Sequence, residues 1–355
     1  MEKVVYILGA GFSAPAGLPV MANFLEAAQD VFLRDPDKYG HFREIFDLVQ
    51  DFSSIKSYMA SNLLNIEEVL SILEMQSDLR EDQTRGRFIR FLREVVEYYS
   101  PQWAPHSASV ASNWWQQMWG SGPRIHPYGT FVGSLFNPIL AGDARGGRTV
   151  VARGGGAATY SIITFNYDRL LETLSENAGQ FLGMPSAFPF STAGNEGATE
   201  KRVPLVKLHG DAREGTIVPP TWSKSASADV LPAWKEAHEL LREATCIRVL
   251  GYSLPPGDAY FKYLLKAAQA EGRVFRKQID ILCLDPDGAV EKRYRDLFVF
   301  PKLRFLSADV LSYLGKIAEG GHPPNRLQQD GAGYRPYSYL EAAHEQFFRD
   351  RLEGR

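Results

Sequence analysis

Only two cysteines, Cys246 and Cys283, occur in the 355 residues. Structural zinc takes about four nitrogen or sulfur ligands, usually in close pairs, so a paired-cysteine zinc module is excluded and no zinc is expected. Both cysteines sit in apolar, strand-like runs, where a thiol serves as a small buried hydrophobe rather than as half of a disulfide. Long apolar runs are missing too. Nothing approaches the ~18 consecutive residues that cross a bilayer, and the run Val4 to Leu8 is too short for a secretion signal and breaks straight into glycine. A cytoplasmic chain with no membrane partner is expected. Charge of one sign is equally scarce: 39 Lys and Arg oppose 42 Asp and Glu, for a formal net charge of -3. That balance gives no general attraction to nucleic acid, and direct nucleic-acid binding is not indicated. Internal repeats and long low-complexity tracts are likewise absent.

What is present is an alternation of apolar strand-like runs with helical periodicity. The first run, Val4-Val5-Tyr6-Ile7-Leu8, turns at Gly9-Ala10-Gly11-Phe12-Ser13. Residues 23–33 carry helical spacing, and residues 41–100 continue it through Phe42, Ile45, Phe46 and Val49, then Ile66, Val69, Leu70 and Leu73, then Phe88, Phe91, Leu92, Val95 and Val96. Residues 107–141 also read as helical, with Trp114, Trp115 and Trp119 as packed core. The glycine-rich residues 142–156, with Arg145, Arg148 and Arg153, read as a flexible surface loop. From residue 160 strands and helices alternate, with strands expected at residues 161–164, 203–208, 246–250, 279–284 and 303–306. That order predicts an α/β fold: a doubly wound, parallel, Rossmann-like sheet with a helical insertion between its first and second strands.

Four of these strand ends carry polar groups, which is where open parallel sheets bind ligands. Gly9 and Gly11, lacking a Cβ, allow main-chain amides to approach an anion, although in isolation a plain tight turn is the commoner use of such glycines. Asn166 follows Ile162-Ile163-Thr164; an Asx turn or helix cap is its ordinary use, but Asp168 can take that duty and free Asn166 for a ligand. His209 follows Val206-Lys207-Leu208, a place that suits an imidazole facing a cleft. Gly251 and Ser253 end the run at 246–250. Asp285, after Ile281-Leu282-Cys283-Leu284, is read either as a ribose-binding acid or as a turn residue before Pro286.

These motifs together resemble the sirtuin-like family, specifically a divergent bacterial branch of NAD hydrolases. Gly9-Ala10-Gly11-Phe12-Ser13 with Gly17-Leu18-Pro19, Thr164-Phe165-Asn166-Tyr167-Asp168, Lys207-Leu208-His209-Gly210 and Gly251-Tyr252-Ser253 occur in the family's order. A deacylating member would continue Pro-Asp-Phe-Arg where this chain has Pro19-Val20-Met21-Ala22, and would carry two Cys-x-x-Cys pairs. The resemblance therefore implies NAD cleavage more than peptide deacylation.

It implies one NAD-binding domain over residues 1–319, with the helical insertion at about 41–141 as a cap over the cleft, followed by a linker and terminal helix at 320–355. Asn166 would position the attacking water and His209 would act as a base on a ribose hydroxyl. Gly9, Ala10, Gly11, Ser13, Pro19, Asp168, Gly251, Ser253 and Asp285 would hold NAD, with the amides at Gly9 to Gly11 on the diphosphate. The implied activity is that of an NAD glycohydrolase which depletes NAD in anti-phage defence, held silent as an oligomer or by a regulatory protein such as an ATPase. An NAD or ADP-ribose sensor without turnover, or a residual deacylase or ADP-ribosyltransferase, are the rival readings. The terminal helix is expected to be an interaction element with an exposed charged face.

Overall fold

The computed structural model describes residues 1–52, 66–80, 83–101, 118–119, 122–142, 148–152, 156, 158–192, 202–214, 216–218, 230–256, 258–271, 278–299, 301–320 and 339–354. Strand β1 (Glu2–Leu8) is followed by a short helix α1 (Ala10–Ser13), then by α2 (Phe24–Arg34), α3 (Phe42–Asp51), α4 (Ile66–Arg80), α5 (Thr84–Tyr99) and α6 (His126–Phe136). A hairpin of β2 (Ile139–Gly142) and β3 (Arg148–Ala152) leads to β4 (Ala158–Thr164) and α7 (Leu170–Phe181). Then come β5 (Phe190–Ser191), β6 (Val203–Lys207), the small hairpin β7 (Gly210–Asp211) and β8 (Thr216–Ile217), and α8 (Leu231–Glu243). The chain continues through β9 (Cys246–Leu250), α9 (Ala259–Glu271), β10 (Gln278–Leu282), α10 (Ala289–Leu297), β11 (Leu303–Leu306), α11 (Val310–Gly320) and α12 (Leu340–Leu352).

Seven strands form one parallel sheet in the order β11-β10-β9-β1-β4-β6-β5. Side chains alternate across a strand, so the continuous apolar runs bury both faces. On one face Val5, Ile7, Ile163, Val206, Ile247, Val249 and Ile281 pack with residues of α8, α9 and α10. On the other, Val4, Tyr6, Leu8, Ile162, Leu205 and Leu250 pack beneath the inserted helices, α11 and α12. Helices covering both faces are what a parallel sheet demands.

Two expectations are corrected within the insertion. Residues 148–152, read as loop for their glycine neighbours, form β3, which pairs antiparallel with Ile139–Gly142. The helical reading of 107–141 accordingly stops at Phe136, where Asn137 enters the left-handed region at φ 41°. Trp119 is buried as core against Phe188, with ring centroids 5.4 Å apart, and fills the space beside Gly129. Trp114, Trp115, Arg145, Arg153 and the linker at 321–324 lie outside the described residues.

The terminal helix α12 is not a free-standing element: it is packed on the sheet through Leu340, Ala343, Phe347 and Phe348. Beneath it the strand register aligns Tyr6, Arg248, Asp280 and Arg304 as a polar row across four strands. Glu341 accepts both Arg248 Nη atoms at 2.9 and 2.6 Å and Tyr160 at 2.8 Å. Glu345 accepts Arg304 at 2.8 and 2.9 Å, and His344 bonds Asp280 at 2.9 Å and Tyr313 at 3.0 Å. Breaking one side of such a buried pair is costly because the other charge stays in the interior unpaired.

This row makes docking of α12 acid-sensitive. Burial and Arg248 hold His344 below its ordinary pKa, outweighing the pull of Asp280. Burial opposes the charge on Asp280, but Arg304 and His344 overcome it and depress its carboxyl; Arg248 does the same for Glu341, and Arg304 for Glu345. A group with a depressed folded-state pKa stabilises above its unfolded pKa and loses that contribution as pH falls. The melting temperature should therefore decline below about pH 6.5 from His344, and further below about pH 4.3 from the carboxylates. Arg304→Met, which strands Asp280, should cost about 3–5 kcal/mol at neutral pH. A melting temperature flat from pH 7.5 to 4 would contradict the acid-sensitivity.

Candidate active site

The carboxyl ends of β1, β4, β6 and β9 open into one cleft of about 400 Å³. Its floor is built by two backbone segments in close register. The Gly9 amide donates to the Leu250 carbonyl at 3.1 Å and the Gly11 amide to the Gly251 carbonyl at 3.0 Å. A Cβ at Gly9 would lie 2.6 Å from the Gly251 oxygen, one at Gly11 2.8 Å from that same oxygen, and one at Gly251 2.3 Å from the Gly11 carbonyl carbon. Gly251 also sits at φ 64°, in the left-handed region. The glycines thus allow two loops to interlock. The Gly9 and Gly11 amides are engaged by these carbonyls and the Phe12 amide donates to the Gly9 carbonyl, so those two glycine amides are not available to a diphosphate.

Asn166 is anchored over this floor. Its Nδ2 donates to the Gly9 carbonyl at 3.0 Å and to Ser13 Oγ at 2.9 Å, while its amide N–H reaches Thr164 Oγ1 at 3.1 Å. Asp168 Oδ1 accepts the Leu170 amide at 3.0 Å and so caps the start of α7, as its position suggested. Ala10, Gly11, Ser13, Pro19, Asn166, Asp168, His209, Gly251 and Ser253 all line the cleft. Gly9 lies beneath it. Asp285 is not brought in: its two carboxylate oxygens accept the Val290 and Glu291 amides at 3.0 and 2.8 Å, capping α10. Asp285 thus serves the start of α10, in keeping with the turn role that its sequence position also allowed.

His209 is buried, its ring set across that of Phe165 at a centroid distance of 5.1 Å and an angle of 73°. Two residues earlier, the buried Lys207 ammonium donates to the Asp168 carbonyl at 2.5 Å and to Asp211 at 2.7 Å, and pairs with Glu172 at 3.0 Å. Burial disfavours the lysine charge, but Glu172 and Asp211 raise its pKa on balance and keep it protonated. It ties the loop that carries Asn166 to the loop that follows His209.

Helices α2, α4 and α5 supply an apolar, mainly aliphatic wall through Phe24, Ile66, Leu92 and Val96, with Leu18, Val20 and Met21 beside them. Cys283 also faces the cleft, its thiol pushed up to about 11 by burial and by Asp285 nearby. The aliphatic wall, Tyr252, Asp258 and Cys283 are lining residues that motif reading missed. Helical periodicity marked the wall residues as buried without saying against what.

Among the described residues one group of potential metal ligands converges: Asp280, His344 and Glu345, with ligand atoms within 4.8 Å of one another. Arg304 already bonds both carboxylates there, so its cation fills the electrostatic need a metal would meet.

Residues 160–300 match the model of the SIR2-like domain. No curated protein matches the chain in sequence. Solved structures aligned with it include Sir2Tm bound to a propionylated peptide, at 15% identity over 90% of this chain and 93% of that one, TM-score 0.36. A complex of Sir2 with p53 peptide and NAD+ aligns at 16% identity over 90% and 93%, TM-score 0.30. SIR2 with an inhibitor, 2'-O-acetyl-ADP-ribose and deacetylated p53 peptide aligns at 15% over 90% and 94%, TM-score 0.30. At these TM-scores the likeness adds nothing to the fold described above.

The interlocked glycines give a direct test. Gly11→Ala forces a methyl group against the Gly251 backbone and should destabilise the protein by roughly 1–3 kcal/mol, the usual cost of overpacking. Thermal denaturation reads it. A variant as stable as wild type would mean the loops do not pass this closely.

Proposed function

We propose that this chain, which carries a SIR2-like domain across residues 160–300, binds NAD+ in the cleft and hydrolyses it to ADP-ribose and nicotinamide. The observation that carries the reading is convergence: Ser13, Asn166, Asp168, His209, Gly251 and Ser253 come from four strand ends far apart in sequence and line one cavity. The charged side chains lining it, among the described residues, are Asp168 and Asp258. Carboxylates as the charged groups of the lining favour the cationic pyridinium of NAD+ over its neutral reduced form.

In the proposed reaction the bond between C1' of the ribose and the pyridinium nitrogen breaks, and its electron pair neutralises the ring. Water then bonds to C1' and loses its proton. His209, buried at the cleft wall, is the group placed to take up a proton from a ribose hydroxyl or from that water. Asn166, whose amide nitrogen is held by Gly9 and Ser13, offers a fixed dipole for orienting the water. Exclusion of bulk water falls to the aliphatic wall.

We extend the proposal to a cytoplasmic effector that depletes NAD in bacterial anti-phage defence, held inactive as a homo-oligomer or by a protein partner such as an ATPase. What supports this is the resemblance of its motifs to that branch of the family. No zinc takes part in the proposed chemistry, so a chelator should leave both activity and stability unchanged.

His209→Ala and Asn166→Ala should each lower nicotinamide release about a hundredfold or more while the protein stays folded. Chromatographic assay of nicotinamide from NAD+ checks this. A folded His209→Ala variant with wild-type turnover would remove His209 from the chemistry. Binding without any release in the wild type would favour a sensor.

A further inference from the structure

The two halves of the cleft are joined by stacked aromatic rings. Phe165 follows β4 and Tyr252 follows β9; their rings lie parallel, 3° apart in plane and 4.1 Å between centroids. Phe261 of α9 packs edge-on behind both, at 4.8 Å from Phe165 and 5.7 Å from Tyr252. Phe165 also meets the His209 ring at 5.1 Å, inclined by 73°.

A stacked ring alone can slide over its neighbour at little cost, because the attraction between aromatic faces is shallow and non-directional compared with a hydrogen bond. Here Tyr252 is fixed at both ends. Its hydroxyl donates to Asp258 Oδ2 at 2.5 Å, a charge-assisted bond to a carboxylate only 2% exposed. Its carbonyl accepts the Tyr294 hydroxyl at 2.8 Å. The loop holding Tyr252 and Asp258 turns at Gly251, φ 64°, and at Leu254, φ 50°. An aliphatic residue in the left-handed region is held there only by its surroundings, so this loop is kept in one shape by its own tertiary bonds.

We propose that Tyr252 and Asp258 are positioning residues that act through Phe165 to fix the His209 imidazole in the cleft. The inference rests on the NAD reading, in which His209 is the proton acceptor. Asp258 anchors the phenol, the phenol holds the Phe165 ring, and the Phe165 ring, set across the imidazole, limits rotation of His209. The nucleotide-side loop is thereby coupled to the acid-base side of the same cavity. A misplacement on the ångström scale is enough to cost a reaction up to about a hundredfold.

The test uses the full chain with Tyr252→Phe, Asp258→Ala, Asp258→Asn and the Tyr252→Phe/Asp258→Ala double variant. Three readouts are taken: melting temperature, kcat and KM for nicotinamide release from NAD+, and the His209 Cε1–H resonance with its titration midpoint in the ligand-free protein. Tyr252→Phe keeps the stacked ring and removes only the anchor, so kcat should fall about tenfold with KM within about twofold, and the His209 resonance should move. Asp258→Ala should match it. The double variant should be no worse than either single change, the signature of one shared interaction. Asp258→Asn, which still offers the phenol an acceptor, should recover most of the loss.

The proposal is overturned if folded Tyr252→Phe leaves kcat and the His209 resonance at wild-type values. It is also overturned if KM alone rises, which would make Tyr252 a substrate contact. Should Tyr252→Phe fail to fold, the contrast between Asp258→Asn and Asp258→Ala decides: equal effects on His209 reject the anchor. Absence of both nicotinamide release and NAD+ binding by the wild-type chain would instead refute the NAD reading, and the His209 resonance, read without NAD+, would still decide the positioning.

Discussion

Two stretches of main chain, at Gly9–Gly11 and at Gly251, pass each other so closely that no side chain fits between them. Their hydrogen bonds join the ends of β1 and β9, neighbours in the sheet, and continue the ladder past the last paired residues. Part of the polar lining of the cleft is arranged from this junction. Asn166 hangs from the Gly9 carbonyl, Ser13 is held by Asn166, and the loop from Gly251 to Asp258 departs from it. A glycine-rich turn after a first strand is commonly taken to serve a phosphate. In this chain its first duty is to let backbone meet backbone, and the ligand inherits the cavity that results.

The opposite face of the sheet is organised by charge. Tyr6, Arg248, Asp280 and Arg304 stand in register on four neighbouring strands, a row that an apolar core would not tolerate without partners. Helix α12 supplies them with Glu341, His344 and Glu345. Net gain from such buried pairs is small, because desolvation offsets most of the attraction. Their effect is to specify where the helix sits, since only one placement pairs every charge.

Much of this was legible in the sequence because continuous apolar runs and helical periodicity are strong signals. The strands at Cys246–Leu250 and Leu303–Leu306 and the helical stretches around Phe42 and Phe88 are of that kind. The motif residues that line the cleft were visible because they end such runs. The short β2–β3 hairpin was not, since the glycines around Arg148 read as loop and mask a four- to five-residue strand pair. Asp285 was ambiguous in sequence because a carboxylate after a strand serves a ribose or a helix start equally well; only the placement of the Val290 and Glu291 amides separates the two. The polar row under α12 was hidden for a further reason. Each member looks like an isolated charge until the strand register aligns them.

The central claim is that the cavity above the glycine junction takes NAD+ in one orientation. A crystal structure of the His209→Ala variant with NAD+ tests it most directly, because a variant that binds without cleaving traps the intact substrate. The account predicts the nicotinamide ribose beside Asn166 and residue 209, with the adenosine half toward Gly251 and Ser253. An empty cleft at saturating NAD+, or NAD+ bound the other way round, would contradict it.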